Sequence, residues 1–423
     1  MKRYILCTIL LSAVSASAAT LDSAINEAFH NNNSIISQEY TVQSAKHQAQ
    51  AQKSGYFPKA DVGYAYKHSS EKAFGYVEEQ FSQAGLEVSY NLFNGGADKY
   101  GYLAAEKQYE AQQFSGEAIR QDVILSVKKA YIEILKAKEN IAVADRAVAL
   151  LENQLNDVKL SYSVGYVAKN EVLKVEAELA SAKQTQLSAV SVYKTSVFSL
   201  EQLTGTNYSD DEVFQTFQLP EDTADYNELK KAMFANRSEI KYTQSLIESA
   251  DYSKKAVKAG YLPKVNVGAG LYSYGQDLSP AERDYTYDSE TLLSASVNLN
   301  LFDGFTRKNS IMAQETAKKA LAYGLFDLKS QMDLQLKTAL ENLKLAKVSL
   351  ETANSEHESA AENYRITQNR FKQKVATNTD LLDARVMLTR AESSRNTARF
   401  NIYKAIAEIE RITEKKGLKY GND

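Results

Sequence analysis

The sequence predicts an α+β membrane protein in which one plan, helix, strand, strand, long helix, helix, is used twice. Three observations carry that prediction. The corner Gly55-Tyr56-Phe57-Pro58-Lys59 returns as Gly260-Tyr261-Leu262-Pro263-Lys264, and these two corners hold two of the four prolines in the chain. Each corner opens a pair of alternating segments of about ten residues or slightly more, the length of a tilted membrane-spanning strand. Each pair is followed by a long proline-free stretch with apolar residues seven apart, a coiled-coil repeat. The chain therefore reads as a tandem duplication.

It opens with Lys2, Arg3, an apolar run from Tyr4 to Val14 and then Ser15-Ala16-Ser17-Ala18-Ala19. Residues 1–19 have the pattern of a secretory signal peptide, with cleavage expected after Ala18 or Ala19. The only cysteine, Cys7, lies inside this segment, so the mature chain is expected to carry no disulfide, thiolate chemistry or lipid anchor. Without Lys2 and Arg3 the net charge moves from -3 to -5, which argues against nucleic acid as a partner. No later run of about 18 apolar residues is present, so entry into a membrane must be by strands.

The first repeat spans 20–203. Its helix breaks at the corner because Pro58 lacks an N–H and drives the residue before it toward extended geometry, while Gly55 is expected to close the helix. A β-hairpin over 60–93 follows, with strands near 60–69 and 80–93, then a long helix hairpin over 97–203. Two seams run along the first of these helices: Val127, Ile134, Ile141, Val148, Leu155, Tyr162 and Val123, Ala130, Ala137, Ala144, Leu151, Val158. Residues 204–225, with Gly205, Asn207, Asp210, Asp211 and Pro220, read as a surface linker. The second repeat, 226–414, has its hairpin over 264–303, with strands near 264–275 and 291–303, and its helix hairpin over 305–414. A shift of 205 relates the two corners and a shift of 209 relates the long helices after the hairpins, so Val127 meets Leu336 and Val123 meets Met332. A polar tail, 415–423, ends the chain. Tyr64, Tyr66, Tyr90, Phe93, Tyr272, Tyr274 and Phe302 are expected to form an interfacial girdle in place of tryptophan, which is absent.

Two hairpins supply four strands, and four strands cannot close around a lumen. An open edge in lipid leaves backbone groups unsatisfied, so the edges must be paired by other copies. Three copies would give a trimeric barrel of about twelve strands, continued by a ring of about twelve helices that is a long α-helical coiled-coil barrel if it closes without filling.

With this duplicated plan, the proline corners, the strand exits Leu92-Phe93-Asn94-Gly95 and Leu301-Phe302-Asp303-Gly304, and the turn Tyr162-Ser163-Val164-Gly165-Tyr166-Val167-Ala168, the chain resembles the TolC family of outer-membrane efflux and secretion channels. The resemblance covers essentially the whole mature chain. Its most specific part is the turn, which is similar to the family's Val-Gly-Leu-Val-Ala tip where periplasmic adaptor proteins dock. Val164, Gly165, Tyr166, Val167 and Ala168 are the docking residues it implies. It further implies a homotrimer in the cell outer membrane, a multi-pass β-barrel in lipid with a periplasmic α-helical extension. The implied partners are a periplasmic adaptor (membrane fusion) protein and an inner-membrane pump or ABC exporter. The function expected is the exit duct of a tripartite efflux pump, passively conducting small molecules outward. A type I protein secretion system is the alternative in the same class, and a coiled-coil adhesin or scaffold the alternative in another.

Asp380 and Asp383, three apart at the start of the last long helix, are matched by the resemblance to carboxylate rings at the periplasmic entrance, which attract cations. The competing reading is compensation of the helix dipole. Glu171 and Lys374 are the expected entrance latch. The family's gating arginine falls on Ala376, Phe371 lacks the hydroxyl of the usual tyrosine, and Lys374 stands where glycine is common, with Lys169 a further substitute cation. Gly55, Pro58, Gly260 and Pro263 are structural corner residues expected at the periplasmic membrane face. His357 interrupts an apolar seam and is assigned no function. No phosphate loop, nucleophile elbow, zinc signature or dinucleotide fingerprint is present, so no enzymatic activity, cofactor or metal site is expected.

Overall fold

The computed structural model describes residues 19–69, 80–209, 212–216, 225–282 and 287–414. The expected signal peptide, apart from Ala19, and the tail at 415–423 lie outside the described residues.

In chain order the elements are α1 (Leu21–Asn31), α2 (Asn33–Gln52), a 3₁₀ turn (Lys53–Tyr56), β1 (Lys59–His68), β2 (Gln80–Phe93), α3 (Ala97–Ser163) and α4 (Lys169–Thr204). The second set is α5 (Tyr226–Asn236), α6 (Ser238–Lys258), a 3₁₀ turn (Ala259–Tyr261), β3 (Lys264–Gly275), β4 (Ser289–Asn298), α7 (Thr306–Lys372) and α8 (Asn378–Thr413). The long helices α3 and α7 each have 67 residues and α4 and α8 each have 36, so the duplication is kept to the residue through these four helices. Residue contacts divide the chain into two compact units, one of Met1–Ser37, Ala118–Arg237 and Ser330–Asp423, the other of Gln38–Glu117 and Ser238–Lys329.

The first unit is helical, and its core follows the heptad seams. Val127, Ile134, Val175 and Leu336 are fully buried, and the alanines at 137, 144, 339 and 353 are nearly so. Side chains this small let helix backbones approach closely, which is what an alanine seam does in a coiled coil. The apolar seam weakens toward the turn, where Leu155 is half-buried and Tyr162 exposed. Between α3 and α8 runs a ladder of ion pairs invisible to a heptad reading: Asp122 with Arg411 (2.6 Å), Lys128 with Glu410 (2.5 Å), Lys129 with Glu408 (2.6 Å), Glu133 with Lys404, Glu139 with Arg399, and Arg146 with Glu392 (3.0 Å). It specifies which helices pair and in what register more than it adds stability, since partly exposed pairs contribute little each.

The segment after α4 is not a purely superficial linker. Phe214 is buried and meets the Tyr131 ring edge-on at 5.6 Å, while its backbone bridges to Ala19. The Tyr131 hydroxyl lies 2.8 Å from the Ala19 carbonyl and 2.9 Å from that of Gln215. One aromatic residue in a polar stretch leaves no periodicity, so this anchor escapes pattern reading.

The second unit contains an antiparallel sheet in the order β1-β2-β3-β4. Pairing aligns Val62 with Leu86, Leu86 with Leu271, Val88 with Ala269 and Val265 with Val297, an apolar face. The other face carries Asp61, Glu87, Asn266 and Ser296. Alternation of this kind suits a strand with lipid on one side and water on the other. Two girdle tyrosines belong to the polar face instead. Tyr272 donates to Glu87 (3.4 Å) and Tyr274 to Glu290 (3.0 Å). The Tyr272 ring covers Gly85 and Gly270, where a Cβ would come within 2.6 and 2.5 Å of it. The last strand also ends early, at Asn298 rather than 303, because Asn298 pairs with Lys264 and the residue before Lys264 is proline, which offers no N–H.

At the corners each helix tightens into its 3₁₀ turn, closed by Phe57 N–H to Ser54 O and by Leu262 N–H to Ala259 O, both 3.0 Å. Neither Gly55 nor Gly260 adopts a positive φ, so neither caps its helix in the left-handed region as expected. Their role is close approach. A Cβ at Gly55 would lie 2.6 Å from the Asp98 carboxylate, and one at Gly260 would lie 3.2 Å from the Arg307 side chain. Asp98 and Arg307 are counterparts in the two repeats, opposite in charge at the same place.

Candidate functional site

The candidate site lies in the helical unit, where α3 turns into α4 and α7 into α8. Both turns have the same hydrogen bonds. Gly165 N–H donates to Tyr162 O (3.0 Å) and Tyr166 N–H to Ser161 O (2.9 Å), matched by Lys374 to Phe371 (2.9 Å) and Val375 to Arg370 (2.8 Å). This is a Schellman closure, which requires a left-handed residue after the helix. Gly165 supplies it with φ 75°, and Lys374 adopts it with φ 60° although it is not glycine. The Lys374 ammonium lies 4.2 Å from the centre of the Tyr166 ring, a cation–π contact joining the two turns. Val164 and Tyr166 are exposed, Gly165 and Ala168 lie on the open turn, and Val167 is tucked against the cluster of Leu151, Val158 and Val172.

Glu171 and Lys374 make separate contacts within the chain. Lys174 donates to Glu171 at 3.1 Å and Asn378 donates to it at 3.2 Å, so the Lys174 ammonium first, then the Asn378 amide, hold the Glu171 carboxyl below its usual range. Lys174 also reaches the Thr379 hydroxyl at 3.3 Å, and the Gln154 amide donates to Asn378 Oδ1 at 2.5 Å. These contacts tie the first helix hairpin to the start of α8.

Thr377 and Asp380 form a capping box at the start of α8. The Thr377 N–H and hydroxyl donate to Asp380 Oδ2 at 2.8 and 2.7 Å, and the Asp380 N–H donates back to Thr377 Oγ1 at 3.1 Å. The Thr377 backbone N–H is the first cause of an Asp380 pKa below its ordinary value. Asp383 is exposed and, among the described residues, has no side-chain partner. The two carboxylates thus differ: one caps the helix and the other is exposed, with no hydrogen bond or ion pair among the described residues.

Arg385 is missing from the sequence-derived residues. It is only 5 % exposed, with its Nη2 3.4 Å from the Tyr364 hydroxyl and its Nε and Nη1 without partners among the described residues. The available signal was a charge four residues after Leu381, on the apolar side of α8. Arg385, Asn378, Glu171 and Lys374 line a cleft of about 870 Å³ between the two turns. His357 sits in its seam with Nδ1 3.2 Å from Arg395.

A family profile described as outer membrane efflux protein matches residues 24–206 and 230–413, the two repeats in turn. The chain belongs to that family. Members are channels of the outer membrane rather than enzymes, and this one has a β-barrel part in the membrane and a helical extension in the periplasm. It is 23% identical over 412 residues to outer membrane protein TolC of Vibrio cholerae, covering 94% of this chain and 93% of that one. The fold is similar to that of the Campylobacter jejuni CmeC outer membrane channel, with a TM-score of 0.80 at 18% identity over 93% of this chain and 85% of the other. A membrane protein from Pseudomonas aeruginosa gives a TM-score of 0.80 at 17% identity, covering 93% of each chain.

Proposed function

We propose that this efflux-family channel is the outer-membrane exit duct of a tripartite pump, a homotrimer that passively conducts small molecules delivered by an inner-membrane transporter through a periplasmic adaptor. The observation that carries the reading is the four-stranded sheet: apolar on one face, polar on the other, and, among the described residues, unpaired along the outer edges of β1 and β4. Neither edge is tolerable in lipid, and three copies pair all of them. The exposed Val164 and Tyr166 offer the adaptor an apolar knob on a rigid turn. Asp383, with Asp380 beside it, forms carboxylate rings at the entrance, while Glu171 and Lys374 hold neighbouring elements at the closed tip.

The test is accumulation of a lipophilic cationic dye in cells lacking the gene. Accumulation several-fold above that of cells complemented with the wild type is expected, and equal accumulation would overturn the efflux reading. A Gly165→Asp variant that reaches the outer membrane is expected to leave accumulation high, because it disturbs the tip without touching the barrel.

A further inference from the structure

The polar face of the sheet is the one that meets water inside a barrel. Tyr272 and Tyr274 stand on that face. With the helical extension in the periplasm, the corner at Lys264 marks the periplasmic end of β3, and Tyr272 lies eight residues further, about 27 Å along the strand toward the exterior. Its ring lies along the sheet rather than standing off it, because two glycines leave room. A Cβ on Gly85 would meet Tyr272 Cδ1 at 2.6 Å, and one on Gly270 would meet Cε2 at 2.5 Å. Gly270 is buried beneath the ring, so one ring face rests on backbone and the other is turned to the lumen. The Tyr274 ring is inclined by only 22° to it with centres 6.4 Å apart, and Phe81 and Tyr287 meet Tyr274 at 6.0 and 5.8 Å. The four rings form an aromatic shelf.

Charge around the shelf is one-sided. Glu290 lies opposite Tyr272 in the β3/β4 ladder, and Glu87 lies opposite Asp61 in the β1/β2 ladder. Like charges directly opposite one another cost stability. Glu87 and Glu290 accept from the hydroxyls of Tyr272 (3.4 Å) and Tyr274 (3.0 Å), contacts that hold the carboxylates at the ring edges without neutralising them. The lysines of this face, Lys59, Lys67 and Lys264, form no ion pair with these carboxylates among the described residues.

We propose that the Tyr272 ring, with Glu87 and Glu290 at the edge of the shelf, is a binding site for organic cations on the exit path, present once in each copy. Its ligands are molecules whose positive charge is spread over N-alkyl or aromatic groups. The inference rests on the duct reading above and gives it a substrate class. The carboxylates draw cations of any kind to the wall. The ring then selects among them, because cation–π attraction acts at contact and favours a cation that gives up its water easily over a small metal ion that keeps it. The site is distinct from Asp380 and Asp383, which belong to the helical unit.

The test is block of single-channel current in planar bilayers, with benzyltrimethylammonium as the probe in potassium chloride. No described helix is apolar enough to cross a membrane, so protein added to one chamber leaves its helices there and its loops in the other. Wild type is expected to be blocked from the loop side by millimolar probe, and Tyr272→Phe, which keeps the ring, to be blocked within about twofold of the same concentration. Tyr272→Leu, apolar but without a ring, is expected to need about fivefold more. Block of Tyr272→Leu at the wild-type concentration overturns the site, as does equal block of wild type by uncharged benzyl alcohol. If Tyr272→Leu does not assemble, the near-isosteric Glu87→Gln, Glu290→Gln double variant decides: weaker block supports the site and unchanged block overturns it. A wild type that conducts but is not blocked from the loop side overturns the site and leaves the duct standing. A wild type that forms no conducting channel overturns the duct reading and the site with it.

Discussion

The Lys374 ammonium lies 4.2 Å from the centre of the Tyr166 ring, so the non-glycine turn of the second helix hairpin rests on the glycine turn of the first. The contact sets a cation–π attraction of about 0.5–1 kcal/mol against a left-handed backbone cost of roughly 1–2 kcal/mol. Lys374→Ala keeps the cost and loses the attraction, so it is expected to destabilise by about 0.5–1 kcal/mol. Lys374→Gly removes both terms and adds chain entropy on unfolding, leaving stability within about 1 kcal/mol of wild type. Denaturant unfolding followed by far-ultraviolet circular dichroism distinguishes the two.

Asp380 and Asp383 are separable by the same method. Asp380→Asn keeps an oxygen for the Thr377 N–H but loses the carboxylate charge at the start of α8, so it is expected to lower stability at neutral pH, whereas Asp383→Asn changes it little because that carboxylate has no hydrogen-bond or ion-pair partner among the described residues. The Asp380 pKa is lowered in the folded state, so its stabilisation is present above the ordinary value of 3.8 and is lost as pH falls through the lower folded value. The wild-type advantage over Asp380→Asn should therefore be seen at neutral pH and vanish in acid. In planar bilayers the double variant should lose cation selectivity and multivalent-cation block; unchanged values would remove the carboxylate rings from the mechanism.

Gly95→Ala places a Cβ 2.3 Å from a backbone oxygen at a φ of 72°. Neither group can yield without moving the second corner. A loss of about 3 kcal/mol or more and a several-fold drop in protein recovered from outer membranes are expected, read by immunoblot against wild type.

Tyr131→Phe removes the hydroxyl that the carbonyls of Ala19 and Gln215 share. Burial pushes the Tyr131 pKa well above the ordinary tyrosine value, so the group is a neutral donor at any physiological pH. Leaving these carbonyls without it should cost about 1–3 kcal/mol, measured as a lower denaturant midpoint with an unchanged slope.

Arg385→Met replaces a buried cation that has two nitrogens without partners among the described residues by an apolar chain of similar length. Stability is expected to rise by about 1 kcal/mol or more, because the desolvation cost disappears while only the Tyr364 contact is lost. A fall instead would mean that Arg385 gains a carboxylate from another copy on assembly.

The duplicated plan, the long helices and the strand count were all legible in the residues alone. Period, proline placement and segment length are local properties, and the alternative to pairing an open strand edge in lipid is prohibitive. The place of Asp380 and Asp383 after the turn was legible, but the capping box that Asp380 forms was not, since it depends on which rotamer meets which N–H. Long-range relationships were equally hidden: Arg385 turned inward without a carboxylate, Phe214 inserted as an anchor, Tyr272 swung over two glycines, and the ion-pair ladder chose α8 as the neighbour of α3. Each depends on which elements meet in space, and residues hundreds of positions apart carry no mutual signal in a single sequence. The repeat is the exception, because both halves fold by one rule that the residues spell out twice.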